Sequence, residues 1–368
     1  MKIPKIPYDG GSCAGKTTIM ANHAERLCDA GFNPLIVPES ATILINMGLD
    51  RNDPLFQDLL ISEGLHHENI AEQYAQIKKL PKPVLLCDRA IPSGKAYMQN
   101  PQDFYKLLKK HGFENYGQVL SRYDGLIFME SVAVDKPEAF TVANNSARDE
   151  GIPLDELIAK TKIGNERQKS IWVGHKQMAV IDNSTNLDLK KQRSYGRLCN
   201  FLGIPEPIEA ERKYLIGDFS EKMLAGIHYQ VADIQQRYLV TPGCRIRKRS
   251  IFGHDSYYHT FKKRLPNGEN VELEETLSER EYIGYFDHLS HEHAPIYKKR
   301  YCFLWKNQYF ELDVFYNDSK VFQIMLEIEL TKIQDTVILP PFLPIIKDVT
   351  DDPNFRNENI AKRLRRSI

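Results

Sequence analysis

The segment GGSCAGKTT places Gly10 and Gly15 five positions apart, with Lys16, Thr17 and Thr18 following directly. This is the full GxxxxGK[ST] spacing, and its chemistry is specific. Glycines let backbone N–H groups curl round phosphate oxygens, Lys16 reaches the terminal phosphates, and the Thr17 hydroxyl can ligate Mg²⁺. The helical pattern that follows aims its positive end at the same anion. ATP is the expected ligand. Asp88 ends the apolar run VLLCD, a position from which a carboxylate can hold the Mg²⁺ shell, and Glu39 ends an earlier run from which it could orient an acceptor hydroxyl. Arg148 in NNSARDEG could close over phosphates. Each of these three also has a plain alternative: a polar residue at a strand end for Asp88 and Glu39, a helix-surface arginine for Arg148.

A second constellation begins at IEAERKYLI, residues 208–216. As a strand it puts Glu209, Glu211 and Lys213 on one face. Alone, that is a solvated face. Later runs repeat the alternation with charges of one sign: Arg245, Arg247 and Arg249; Lys262 and Arg264; Glu272 and Glu274; Lys298 and Arg300; Glu311 and Asp313; Glu327 and Glu329. Phe310, Leu312 and Val314, and then Ile324, Leu326 and Ile328, take the opposite faces. Whole strands of single sign with apolar backs fit a lumen in which basic residues hold a polyanion and carboxylates hold cations.

The elements that must position these residues fall into two groups. Up to residue 204, short apolar runs (NPLIVPE, VLLCDR, GLIFM, MAVIDN) alternate with helical stretches at 17–30, 54–79 and 101–111. That order predicts an α/β domain with a doubly wound parallel sheet. Pro4 and Pro7 precede the phosphate loop, so the first strand is expected to be short or distorted. From 205 to 338 about eight alternating runs predict an eight-stranded antiparallel β-barrel, with helices near 218–226 and 279–290. The Pro205–Pro207 segment marks the boundary, and 339–368 reads as an extension ending in a solvated basic helix.

Composition excludes several function classes. Lysine plus arginine equals aspartate plus glutamate at 49 each, which argues against a nucleic-acid or membrane partner. Six scattered cysteines without a CxxC pair suggest reduced thiols, and the N-terminus has no apolar signal core. The expectation is a cytoplasmic protein acting on small phosphate compounds.

The motifs GGSCAGKTT, PESAT and CDRA resemble the P-loop kinase-like ATPases related to nicotinamide riboside and deoxynucleoside kinases, with Ala90 where that family usually has Gly. EAERK and the charged strands after it resemble the triphosphate tunnel metalloenzymes, or CYTH superfamily. This second resemblance implies an eight-stranded tunnel for a triphosphate with Mg²⁺ or Mn²⁺. It implies Glu209, Glu211, Asp313, Glu327 and Glu329 as metal ligands, and Arg245, Arg247, Lys262 and Arg300 as phosphate clamps. Lys213 would contact the phosphate under attack or help to activate water; an internal ion pair is the structural alternative, and the two are compatible. The expected activity is hydrolysis of inorganic or nucleoside triphosphate, fused to an ATP-binding domain with a nucleoside-like acceptor. ATP cyclisation and phospho-ligand sensing are the alternatives.

Overall fold

The computed structural model describes residues 2–143, 151–204, 208–264 and 270–366, with side chains for all of these except 208, 209, 264 and 270. The chain divides into two compact units, Met1–Phe201 and Leu202–Ile368.

The first unit is built on five parallel strands, β1 (Lys5–Asp9), β2 (Asn33–Val37), β3 (Pro83–Asp88), β4 (Leu126–Met129) and β5 (Met178–Ile181), in the order β2-β3-β1-β4-β5. Each apolar run of the sequence is a strand, and β1, β3 and β4 are buried along their whole length. The first strand is neither distorted nor peripheral: β1 is central, and Pro7 lies inside it. Alternation explains this. The Lys5 carbonyl accepts from Asp124 N on the β4 side and the Tyr8 carbonyl from Arg89 N on the β3 side. Pro7 therefore turns its missing donor toward β4, where pairing starts only at Tyr8.

Among the described residues the second unit holds ten strands in an open antiparallel order, instead of an eight-stranded barrel. They are β6 (Ile208–Glu209), β7 (Glu211–Ile216), β8 (Tyr229–Tyr238), β9 (Cys244–Ile251), β10 (His254–Arg264), β11 (Asn270–Leu277), β12 (Ile296–Trp305), β13 (Gln308–Asn317), β14 (Lys320–Glu329) and β15 (Ile345–Asp348). Their order is β15-β7-β14-β13-β12-β8-β9-β10-β11-β6. Two features raise the count. The stretch IEAERKYLI is interrupted at Ala210, so its first part pairs with β11 and its second with β14. The extension after residue 338 adds β15 beside β7, where Val349 N also donates to the Lys213 carbonyl. At the tip between β8 and β9, Gly243 has φ +76, and a Cβ there would stand 2.4 Å from the Lys262 carbonyl oxygen.

One face of this sheet is an apolar core in which Phe303, Phe310, Leu312 and Leu326 are wholly buried, covered by the turn at Glu221–Leu224 and by Leu343. The C-terminal helix, Asn357–Arg366, departs from expectation. It is not solvated all round, because Ile360 and Ala361 are wholly buried against Tyr238, Ile296, Phe315 and Met325. A buried isoleucine predicts that Ile360→Ala destabilises the second unit by about 2–5 kcal/mol in denaturant unfolding, whereas a solvated helix would lose under about 0.5.

Candidate functional site

In the first unit the phosphate loop leaves β1 at Asp9 and enters the helix Lys16–Asp29 through Gly15, whose φ is 82. Gly10, at φ +134, lies so close to β4 that a Cβ would stand 1.9 Å from the Met129 carbonyl oxygen. Lys16 Nζ folds back onto its own loop, donating to the carbonyls of Gly10 (2.9 Å) and Gly11 (3.0 Å). Burial and the neighbouring Arg89 lower its pKa. The Thr17 hydroxyl donates to Asp88 Oδ2 at 2.9 Å, while Asp88 Oδ1 is buried with no hydrogen-bond partner. Burial raises the Asp88 pKa, outweighing the pull of Lys16. A hydroxyl beside a carboxylate with an orphaned oxygen has the chemistry of a hard-cation site. Thr18 is exposed on the same first turn.

Glu39 has a partner that the sequence did not disclose. Its Oε1 accepts from Arg89 Nε at 2.6 Å and its Oε2 from Thr42 at 2.7 Å. Burial would raise its pKa, but Arg89 and Lys16 outweigh this and hold it at about 2. A carboxylate so strongly ionised is a poor base. Arg89 itself has φ 67, a backbone conformation rare outside glycine, and reaches Glu39, the Tyr97 hydroxyl (3.0 Å) and Asp9 (3.6 Å). Asp9, absent from the sequence-based site, also accepts from Gly10 N, Ser93 Oγ and Trp172 Nε1. Asn165 Oδ1 accepts from Gly11 N, and Lys190 Nζ donates to the carbonyls of Ala14 and Glu130 and to Asn183 Oδ1. Single polar residues on helices gave no motif by which to find these supports. Arg148 lies outside the described residues.

In the second unit, register places the charged residues on one continuous face. Lys213 stands opposite Glu327, Glu327 opposite Glu311, Arg300 opposite Asp313, Lys262 opposite Glu272, and Asn270 opposite Glu209. Arg245 and Arg247 stand opposite Thr260 and Tyr258 in the same row. Along the sheet order the signs run acidic on β7, β14 and β13, basic on β12, β9 and β10 with uncharged Gln236 of β8 among them, and acidic again on β11; because 208–216 pairs first with β11 and then with β14, the strands fall into a basic and an acidic arc. Lys213 is the cation inside the acidic arc.

The seams between arcs are closed by ion pairs. Arg300 donates to both oxygens of Asp313 at 2.7 Å, to Glu327 at 2.7 Å and to Glu311, and Lys298 also donates to Asp313. At the other seam Arg245 holds Glu272 at 3.0 Å, Lys262 lies 3.6 Å from the same carboxylate, and Arg247 holds Glu274. Lys213 Nζ sits between Glu211 (2.8 Å) and Glu327 (2.7 Å). Burial would raise the pKa of Glu327 and of Glu272. The surrounding cations prevail, holding Glu327 well below the carboxylate range and Glu272 at about 2.

Within the implied metal set, Asp313 and Glu327 accept from Arg300, Lys298 and Lys213, and Glu211 is paired with Lys213. Glu211 and Glu329 stand directly opposite each other, a like-charge pair that favours a bound cation. Glu209 follows along the strand, but its side chain lies outside the described residues. Among the described residues no three His, Cys, Asp or Glu side chains come together in a group that could hold a metal ion.

Residues 6–176 match the family model described as an AAA domain. No curated protein matches the chain. Among solved structures, the inorganic triphosphatase NE1496 is 24% identical, over 42% of this chain and 94% of its own, with a TM-score of 0.30. The PH1012 protein from Pyrococcus horikoshii OT3 is 20% identical, over 34% of this chain and 81% of its own, with a TM-score of 0.26. No helix among the described residues is long and apolar enough to cross a membrane.

The Glu39–Arg89 pair makes a pH prediction. A depressed carboxyl pKa stabilises the fold above the ordinary value of about 4.5, and that contribution is lost as pH falls toward about 2. Urea unfolding should show Glu39→Gln less stable than wild type at pH 6, with the gap narrowing by pH 3.

Proposed function

We propose that the chain is an enzyme with two phosphate sites: a metal-dependent triphosphatase on the charged sheet face, and an ATP-binding phosphate loop with a kinase-like arrangement. The observation that carries the first is the division of one continuous face into a basic and an acidic arc. In this reading the sheet curls so that 208–216, paired at one end with β11 and at the other with β14, closes it into a tunnel. The triphosphate lies along the basic arc, where Arg245, Arg247, Lys262 and Arg300 meet its oxygens with planar forks and point charges. Mg²⁺ or Mn²⁺, held by Glu209, Glu211 and Glu329, supplies charge neutralisation on the other side. Lys213 would leave its carboxylates to contact the terminal phosphoryl group. Water attacks that phosphorus, a P–O bond to water forms, the anhydride bond breaks, and pyrophosphate leaves while a proton passes to solvent.

At the loop, ATP would replace the Gly10 and Gly11 carbonyls as partner of Lys16, and Thr17 with Asp88 would hold Mg²⁺. Arg89, fixed by Glu39 and Asp9, presents a preset cation nearby. The acceptor of this site is a small molecule carrying a hydroxyl. The alternative in which the tunnel face cyclises ATP would give a different product from the same charges.

The test is phosphate release from inorganic triphosphate by the full chain with Mg²⁺ or Mn²⁺. Lys213→Ala should lower it by about 10²–10³-fold, the scale of losing one stabilising donor, while Lys16→Ala leaves it within about twofold and abolishes ATP retention by the loop. Full activity in Lys213→Ala sinks the tunnel reading. Chromatography of the ATP reaction settles the alternative, since ADP with phosphate and a cyclic nucleotide separate cleanly.

A further inference from the structure

Apart from both sites, the second unit has a cleft of about 140 Å³ between the end of β8, the loop 289–295 and the last turn of the C-terminal helix. Arg237, Arg365, His291, His293, Tyr238 and Ser290 line it, and among the described residues its lining contains no carboxylate. Arg365 Nε donates to the His291 carbonyl at 3.0 Å, which fixes the arm and leaves the terminal nitrogens without a protein partner among the described residues. The Arg237 guanidinium lies 5.2 Å from the Phe286 ring centre, and its Nε is buried without a hydrogen-bond partner. His293 is held by Ser290 Oγ at 2.8 Å and stacks on Tyr238 at 4.8 Å. The nearest carboxylate to that ring is Glu358, 3.6 Å from His293 Nε2 and half exposed.

We propose that this cleft is an anion site for a phosphate-class oxyanion, distinct from the loop and from the charged face. Two guanidinium-bearing residues beside two imidazoles, in a recess whose lining among the described residues holds no carboxylate while Glu358 and Glu292 stand behind His293, match a small multivalent oxyanion better than an apolar or cationic ligand. The site also abuts the charged face. Tyr238 stands opposite Arg245 in the sheet register, and its hydroxyl accepts from Gln236 at 2.8 Å. The Tyr238 ring thus stands in the row that bears Arg245 and also lines the cleft, so a bound oxyanion lies against the end of that row. Phosphate released by a reaction on the face and phosphate taken from solution share this chemistry.

The experiment titrates inorganic phosphate into the full chain labelled with ¹³C-histidine, following the ring C–H resonances of His291 and His293 at constant ionic strength. A saturable shift at millimolar phosphate is expected. It should persist in Lys16→Ala and Lys213→Ala, which change the other two sites, and weaken by about tenfold or more in Arg365→Gln, which removes a charged donor. Arg365 is exposed at the end of a helix, so this variant keeps the fold; Arg237→Gln gives a second reading of the same loss. No movement, equal movement with chloride, or an undiminished affinity in Arg365→Gln overturns the site. Phosphate generated in place by adding triphosphate, compared with phosphate added directly, tells product capture from uptake: a matching shift at matching phosphate supports simple exchange with solution.

Discussion

The guanidinium of Arg300 lies among the carboxylates of Asp313, Glu311 and Glu327 with almost no exposure to water, and the second unit is organised around that condition. An ion removed from water is tolerated only when excellent geometry and further hydrogen bonds satisfy it, and removing one partner of such a set costs about 3–5 kcal/mol. Two oxygens of Asp313 therefore meet three donors, and Glu327 is shared between Arg300 and Lys213. The same condition requires the sheet's other face to be apolar, since only a dense core on one side and a screened polar face on the other keep these strands in register. Strands of opposite sign need to touch only at two seams, β12 with β13 and β10 with β11, and the ion pairs collect there.

The phosphate loop obeys a related constraint on a smaller scale. Among the described residues Lys16 has no carboxylate within direct contact and takes two loop carbonyls instead, while Arg89 takes Glu39, Tyr97 and Asp9. The loop is held from below by Lys190, whose pKa burial lowers to about 8, and from the side by Asn165. Its glycines are required by contact as well as by conformation: β4 comes so near Gly10 that no side chain fits.

How much of this was legible in the sequence depended on whether the signal was periodic. Strand parity is an exact alternation, so Glu211, Lys213, Arg300 and Glu327 could be placed on one face from order alone, and the apolar runs of the first unit each became a strand. Spatial neighbours were not legible. Nothing in the spacing shows that β12 lies beside β8, or that IEAERKYLI is interrupted at Ala210, because strand order is set by tertiary packing. Pro7 looked like a fault in a central strand, yet its missing donor faces a gap in pairing. The C-terminal helix misled for a different reason: with arginines at 363, 365 and 366 its composition is that of a solvated helix, and the burial of only Ile360 and Ala361 is invisible in an average. Asp9 carried no motif at all, being an acid at a strand end whose partners beyond the adjacent Gly10, namely Arg89, Ser93 and Trp172, come from distant parts of the chain.

In both units the cations that would meet phosphate are already satisfied by the protein's own acceptors, so binding is an exchange. For Lys16 the exchange is simple, since two neutral carbonyls give way to a charged oxygen. On the sheet face it is harder, because freeing Lys213, Arg245 or Arg300 strands a buried carboxylate. A bare polyphosphate would satisfy the cations and leave Glu211, Glu272 and Glu327 without counter-charge. A polyphosphate carrying divalent metal would satisfy both arcs at once, replacing each broken ion pair with two new contacts of the right sign. On the proposed reading, the division of the face into a basic and an acidic arc would therefore favour a metal-loaded anion over either component alone.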